Sequence, residues 1–373
     1  MHTRRATRSL APEGGEAVAR HEFWPPWLFY LPVAAYYAWL ALRFRGLLLP
    51  TCANPTIFSG GLLGESKSAI LDLVPVPWRE RLARYAVVDR GERGTPEAAA
   101  LERARRALHH AGLDYPLVAK PDVGQRGAGI APLYGEDDLV NYLRRFPAGA
   151  RLLLQEMADG KRRPGGVREA GIMYWRAPDA AHGRIFSLTL KRTPWIVGDG
   201  VRSVRELILG DRRARRLKHV YLPRHATILE QVLDPGVELP LVFAGNHCQG
   251  TIFCDGTDLV TPELADCIDA LARAIPGFHF GRFDVCFAEL GALLRGQEFQ
   301  IIEINGAGAE ATHIWDGSVT LREAYGTLFE QFRALFVIGA ANRRRGHPPL
   351  GSMTFLRTAL AYRRLAAGYP PSR

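Results

Sequence analysis

The sequence predicts an α+β chain built on antiparallel sheets, and three observations carry that reading. Apolar residues alternate in two facing segments, 169–176 and 184–191, across a turn at 177–183, which is a hairpin pattern. Helical segments fall among strands in mixed order, which argues against a doubly wound parallel sheet. The 373 residues are 47% hydrophobic and 23% charged, which excludes wholesale disorder, collagen and a coiled coil and allows two or three structural units.

Charge narrows the partners. A net charge of +10 favours phosphates, carboxylates, nucleic acid or an acidic membrane face. No known nucleic-acid-binding module or aromatic-interleaved basic stripe is present, so nucleic acid is not expected. Only five of the 48 basic residues are lysines (Lys67, Lys120, Lys161, Lys191, Lys218), so each is a candidate for a specific ammonium contact. Cysteines at 52, 248, 254, 267 and 286 form no CxxC pair, which excludes a zinc ribbon and fits a reducing, cytoplasmic compartment.

Taken in order, residues 1–22 read as a disordered basic leader. Residues 23–42 carry no charge and end at Arg43 and Arg45, the length of a bilayer crossing. Pro25, Pro26 and Pro32 interrupt the first half; the Pro-free remainder is about 15 Å long against a bilayer core of about 30 Å. Trp24, Trp27, Tyr30, Tyr36, Tyr37 and Trp39 suit a membrane interface or a buried helix, so packed, interfacial and spanning readings stay open, as does peripheral membrane association through residues 23–49. Residues 54–64 read as a turn-rich loop and 65–73 as a short helix. Thr95 and Pro96 open a helix over 97–111 that Gly112 closes. Strands follow at 117–120 and 151–156, with a glycine-rich loop at 124–129 and a helix at 136–146 between them. Ser203 and Glu206 form a capping box, and Gly210 ends that helix. A helix spans 262–274, and strands at 281–288 and 298–305 are joined by a short glycine-containing connection. Thr320 and Glu323 form a second capping box before a helix to about Gly339, and a basic tail runs from Arg343.

The strongest chemical signal lies on the last two strands. Alternation puts Arg282 and Asp284 on one face, and Glu303 and Asn305 on one face of the next strand. If these strands pair, two carboxylates and an amide converge as hard oxygen ligands for Mg²⁺ or Mn²⁺, and two such ions clamp a triphosphate. Arg282 beside them is an oxyanion donor. Lys120 closes a strand and is followed by a loop whose glycines let backbone N–H groups approach a phosphate. His247, in the glycine-bracketed loop 245–250, is a substrate or acid–base candidate or a turn histidine.

The set Lys120-Pro-Asp-Val-Gly124, Gln155-Glu156, Glu169-Ala-Gly-Ile, Val197-Gly-Asp-Gly200 with Glu206, Gly281-Arg-Phe-Asp284 and Glu303-Ile-Asn305-Gly-Ala-Gly308 resembles the ATP-grasp superfamily over roughly residues 50–345. It is most similar to unassigned bacterial members related to D-alanine–D-alanine ligase and to the cyanophycin synthetase ligase module. The resemblance implies an ATP-grasp fold holding nucleotide between two α+β subdomains. A domain at 23–112 would precede an ATP-grasp domain at 113–342, whose nucleotide-gripping part ends near 195 and whose metal-binding part follows. It further implies ATP contacts from Lys67, Lys120, Gly124, Gly127, Gly129, Gln155, Glu156, Met157, Glu169 and Lys191. Two Mg²⁺ ions would sit on Asp284, Glu303 and Asn305, with Arg282 and Lys191 as catalytic residues. Gly306, Gly308, Glu310 and His313 stand where an acceptor is contacted or where a structural loop runs. Gln125 and Arg126 replace the serine-rich loop tip of D-alanine–D-alanine ligases. The implied activity is an ATP-dependent carboxylate–amine (or thiol) ligase working through an acyl phosphate on small molecules. The alternatives are a kinase on the same fold and a membrane-associated nucleotide-binding protein without turnover.

Overall fold

Alternating apolar and polar residues, closed by turn residues, give two main antiparallel sheets. The computed structural model describes residues 19, 21–125, 127–158, 167–243, 245 and 250–372, so the leader expected over 1–22 falls almost wholly outside the described residues, as do His247 and Arg126. The strands are β1 (Tyr85–Asp89), β2 (Leu117–Pro121), β3 (Ala131–Leu133), β4 (Arg151–Glu156), β5 (Val167–Trp175), β6 (Arg184–Arg192), β7 (Trp195–Val197), β8 (Glu238–Pro240), β9 (Ile252–Asp255), β10 (Phe280–Phe287) and β11 (Phe299–Asn305). They form a four-stranded sheet in the order β1-β4-β2-β3, a five-stranded sheet in the order β11-β10-β5-β6-β9, and the ribbon β7-β8.

The helices are α1 (Pro26–Arg43), α2 (Lys67–Asp72), α3 (Glu97–Ala111), α4 (Glu136–Arg145), α5 (Val204–Gly210), α6 (Lys218–Arg224), α7 (Pro262–Ala274), α8 (Leu290–Leu294), α9 (Leu321–Arg344) and α10 (Ser352–Ala366). Gly112 ends α3 at φ 60°, a left-handed turn that a side chain would strain. Both expected capping boxes form, at Ser203–Glu206 and Thr320–Glu323. Leu108, Leu139 and Leu143 of α3 and α4 bury themselves on Leu117, Leu152 and Leu154 of the four-stranded sheet. Leu264, Ile268 and Leu271 of α7 pack on Ile172, Leu188 and Phe283 of the five-stranded sheet.

The sheets do not follow the sequence boundaries expected at 112/113 and 195/196. β1 lies before residue 113 yet pairs with β4, and β5 and β6 share a sheet with β10 and β11. Antiparallel pairing across long connections brings these strands together, and local sequence carries no signal for it. Two further expectations are corrected. The helix expected to stop near Gly339 continues to Arg344, because Gly339 packs against the Leu49 main chain and needs no helix end there. The basic tail contains α10, whose residues after Gly351 are good helix formers. The connection after β10 also holds the short helix α8.

The apolar N-terminal stretch forms α1, with Pro26 at its first position and Pro32 inside it. Its buried stripe of Phe29, Val33 and Leu40 meets Leu328 and Phe336 of α9. Among the described residues no helix is long and apolar enough to cross a membrane.

The two sheets meet along β11 and the segment around α2. Ala83 N donates to Ile301 O at 3.0 Å, and Lys67 N donates to Asp122 O at 2.9 Å. Asp122 is buried and receives Ser68 N and Ser68 Oγ, both at 2.9 Å. Asn54 is fully buried and satisfies both ends of its amide. It accepts from the N–H groups of His279 and Phe280 and donates to the carbonyls of Gly60 and Phe280, which ties the 54–64 loop to the start of β10.

Candidate functional site

A cavity of about 410 Å³ opens between the four-stranded sheet, the five-stranded sheet and the start of the chain. Lys67, Lys120, Lys191 and Arg282 line it, with Glu303 and Asn305 beside them, and Gly124 and Gly127 also border it. Trp24, Phe29, Tyr30, Phe253, Glu310 and Trp315 form its other end.

The pairing of β10 with β11 delivers the acidic pair. Asp284 stands directly opposite Glu303, and Arg282 opposite Asn305. Residues two apart on a strand share a face, so all four side chains lie together. Asp284 is 3% exposed and points at its own neighbours. Arg282 grips it through Nε (3.0 Å to Oδ1) and Nη2 (2.9 Å to Oδ2). Lys191 Nζ donates to Oδ1 at 2.8 Å, and Asn305 Nδ2 donates to Oδ2 at 2.9 Å. Burial alone would raise the Asp284 carboxyl pKa, but Arg282 and Lys191 outweigh it and hold it at about 2. The same pairing keeps Lys191 protonated: desolvation pulls its pKa down, and Asp284 and Glu169 raise it above the usual lysine value.

Lys120 projects from the end of β2 and bridges the sheets. Its Nζ donates to Gln155 Oε1 on β4 and to Ile302 O on β11, both at 2.8 Å. Desolvation is the main cause that lowers its pKa to about 8; Lys67 adds to the lowering, and Glu303 opposes it. Lys67 donates to Gly124 O and lies 3.7 Å from Glu303 Oε1. The three lysines thus occupy one cavity although they come from three separate segments.

The remaining sequence candidates are placed differently. Gln155 is buried with its amide turned to Lys120 and Ala83 O, because the end of the Lys120 side chain lies beside it. Glu156 takes Arg84 N at 2.7 Å and Arg84 Nε at 2.8 Å. Met157 N donates to Pro116 O at 3.4 Å. Glu169 is ion-paired with Lys191 at 2.7 Å. None of these four lines the cavity, and neither does Asp284. Gly129, at φ 73°, is pressed against Pro121 and Tyr369. Gly306 crosses the Gly60 carbonyl so closely that a Cβ would stand 2.4 Å from its oxygen, a backbone approach that explains the glycine without a ligand. Gly308 borders the cavity. His313 is half-buried near Thr327, and desolvation lowers its pKa.

Two structural contributions were not read from the sequence. Tyr30 OH donates to Glu310 Oε2 at 2.7 Å and Trp315 Nε1 donates to Oε1 at 3.2 Å, so neutral donors hold this carboxylate between two rings. The chain after α9 holds the glycine loop from outside: Gln125 N donates to Tyr362 OH at 3.1 Å, Tyr369 OH to Val123 O, and Ser372 Oγ to Gly127 O at 2.6 Å.

The donor set tests the expected metal ion. Glu303 and Asn305 offer hard oxygens to the cavity, which suits Mg²⁺. Asp284 has both oxygens engaged by cationic and amide donors and joins such a site only if Lys191 releases it. No cluster of three or more His, Cys, Asp or Glu side chains suited to a metal occurs among the described residues.

No family model matches the chain, and no curated protein matches it. Solved structures do. A bifunctional glutathione synthetase from Pasteurella multocida is 15% identical with a TM-score of 0.34, covering 74% of this chain and 38% of its own. A D-Ala:D-Ser ligase from Enterococcus faecalis is 14% identical with a TM-score of 0.37, covering 72% of this chain and 61% of its own. The chain therefore spans less than two thirds of the length of either protein.

Proposed function

We propose that the chain is an ATP-dependent carboxylate–amine (or thiol) ligase of the ATP-grasp kind, with the triphosphate lying between the two sheets. The observation that carries this reading is the convergence of Lys67, Lys120, Lys191 and Arg282 on one cavity facing Glu303 and Asn305. Four cationic side chains and a glycine loop share the lining with the carboxylates of Glu22, Glu65, Glu303 and Glu310, a mixture that suits a triphosphate carried with divalent cations.

In this reading Lys120 and Lys67 hold the α- and β-phosphates, and the Gly124 and Gly127 segment wraps them. Lys191 exchanges its contact with Asp284 for the γ-phosphate. Mg²⁺ or Mn²⁺ held by Glu303, Asn305 and Asp284 would neutralise charge on the triphosphate. A substrate carboxylate oxygen attacks the γ-phosphorus, and ADP leaves. The acceptor, as the free amine (or thiolate), then attacks the acyl carbon, the C–O bond to phosphate breaks, and an attacking amine gives up its proton to water as phosphate leaves. Arg282, whose Nη1 donates to Glu310 O at 3.1 Å, faces both ends of the cavity and stabilises the oxyanion between these steps. An ammonium-bearing acceptor suits the Glu310 end, where two aromatic rings flank a carboxylate. Adenine and ribose contacts from Gln155, Glu156, Met157 and Glu169 require the cleft to open beside β4, since none of them lines it now.

The test is an ADP-release screen over amino acids, small peptides and hydroxy acids with Mg²⁺ present. Free phosphate together with a new amide or thioester supports the ligase. A stable phosphoester identifies a kinase instead. No ADP with any acid defeats both.

A further inference from the structure

We propose that α1 docks the chain on an anionic membrane surface, lying in the interface plane with its outer face among the lipid headgroups. This rests on the outside of the molecule and is independent of the ligase reading. The inner stripe of α1 is used up by α9. The outer stripe is apolar and exposed: Trp27 is 72% accessible, Leu31 61%, Trp39 50% and Leu42 80%. Trp24, Leu28 and Leu47 extend it. Within α1, positions 27, 31, 35, 38 and 42 recur every three or four residues, and 28 and 39 flank them, so these residues share one face.

Charge selects the occupant. From residue 23 to residue 64 there is no acidic side chain, and the bases are Arg43 and Arg45 at the end of the helix. The Arg43 guanidinium sits 5.7 Å from the Trp39 ring centroid, and Arg343 of α9 is anchored on the carbonyls of Phe44 and Arg45. An apolar face carrying tryptophan along its length and arginine at its rim is the chemistry of an interfacial helix on anionic lipid. A second copy seated on the same face would bring those arginines no acidic partner from this stretch. The helix is about 27 Å long and contains Pro32, and it is not apolar enough to cross the bilayer, so it lies on the surface. Trp24, Phe29 and Tyr30 line the cavity from the same segment, so docking brings the aromatic end of the cleft to the lipid surface.

The experiment is co-sedimentation of the full chain with phosphatidylcholine vesicles, with and without about 30% phosphatidylglycerol. Its comparison is the triple variant Trp27→Ser, Leu31→Ser, Leu42→Ser, none of which lines the cavity. The wild type should pellet with the anionic vesicles, less so as salt rises, and the variant should bind at least tenfold more weakly with unchanged circular dichroism and melting. Leu42→Glu alone, at the most exposed of these positions, replaces the triple variant if that one does not fold. Wild-type chain left in the supernatant overturns the proposal, as does equal pelleting of wild type and variant. A dimer by light scattering that the variant dissolves would assign the face to a second copy and would also overturn it.

Discussion

The two ends of the cavity are built by opposite means. At the cationic end, charge is delivered by strand ends and balanced side chain against side chain. Lys191 lies between Glu169 and Asp284, and Asp284 between Lys191 and Arg282, whereas Lys120 spans the two sheets on the neutral Gln155 amide and Ile302 carbonyl. At the aromatic end, Glu310 is held by the hydroxyl of Tyr30 and the indole of Trp315 and sits among rings. A balanced buried network fails when one member goes, because the survivors keep their desolvation cost without their partner. A carboxylate held by neutral donors can lose its charge while its hydrogen bonds adapt. Fold and chemistry are therefore inseparable at Asp284, whose carboxylate serves two cations, and separable at Lys120 and Glu310, whose hydrogen-bond partners are neutral.

The largest effect should come from breaking the balance. Asp284→Ala leaves Arg282 and Lys191 facing each other without their shared carboxylate. It should destabilise the chain by about 3–5 kcal/mol in urea unfolding and abolish ADP formation. A stable variant with full turnover would show that the network is decorative.

Next comes pH. Lys120 is held near 8 by desolvation, so it loses its proton as pH rises through that value. A lysine gripping phosphate must be charged, so kcat/KM for ATP should fall about tenfold per unit above about pH 8, while kcat changes less because bound phosphate keeps the ammonium protonated. Stability moves the other way. The unfolded lysine keeps its proton to higher pH, so between about 8 and 10.5 the unfolded state binds more protons and the contribution of Lys120 to stability rises with pH. A rate profile flat to pH 10 would contradict the first part, and a melting temperature without this Lys120-dependent rise would contradict the second.

The aromatic end should respond more gently. Glu310→Gln removes the charge and one of the two acceptor oxygens: the amide oxygen still accepts from Trp315 Nε1, and the Tyr30 hydroxyl turns to accept from the new NH2; KM for an amine acceptor should rise about tenfold, roughly 1.4 kcal/mol, with kcat/KM for ATP unchanged. The smallest effect lies outside the cavity. Tyr369→Phe removes one hydrogen bond to Val123 O and should cost about 1 kcal/mol of stability. Faster hydrogen exchange confined to residues 123–129 would show that the C-terminal segment holds the glycine loop.

What the sequence disclosed follows the same division. The convergence of Arg282, Asp284, Glu303 and Asn305 was legible because strand alternation assigns faces, and the structure pairs these two strands in that register. Helix limits at Gly112 and at the two capping boxes were legible because the signals are local. Alternation gives a face and not a partner, so nothing in the sequence told that Asp284 would spend its oxygens on Arg282 and Lys191, or Gln155 its amide on Lys120. The aromatic end was hidden because Tyr30 and Glu310 are 280 positions apart. The clamp on the glycine loop was hidden for a related reason: α10 buries no residue and shows no core stripe to read.

If the cationic end holds the phosphates of ATP, calorimetric titration with Mg·ATP should separate the wild type from Lys120→Gln. The wild type should form a one-to-one complex and the variant should bind at least tenfold more weakly, with its melting temperature preserved or raised because a buried ammonium has been removed. A variant that binds Mg·ATP as tightly as the wild type, or a wild type that does not bind it, would show that the phosphates do not lie there.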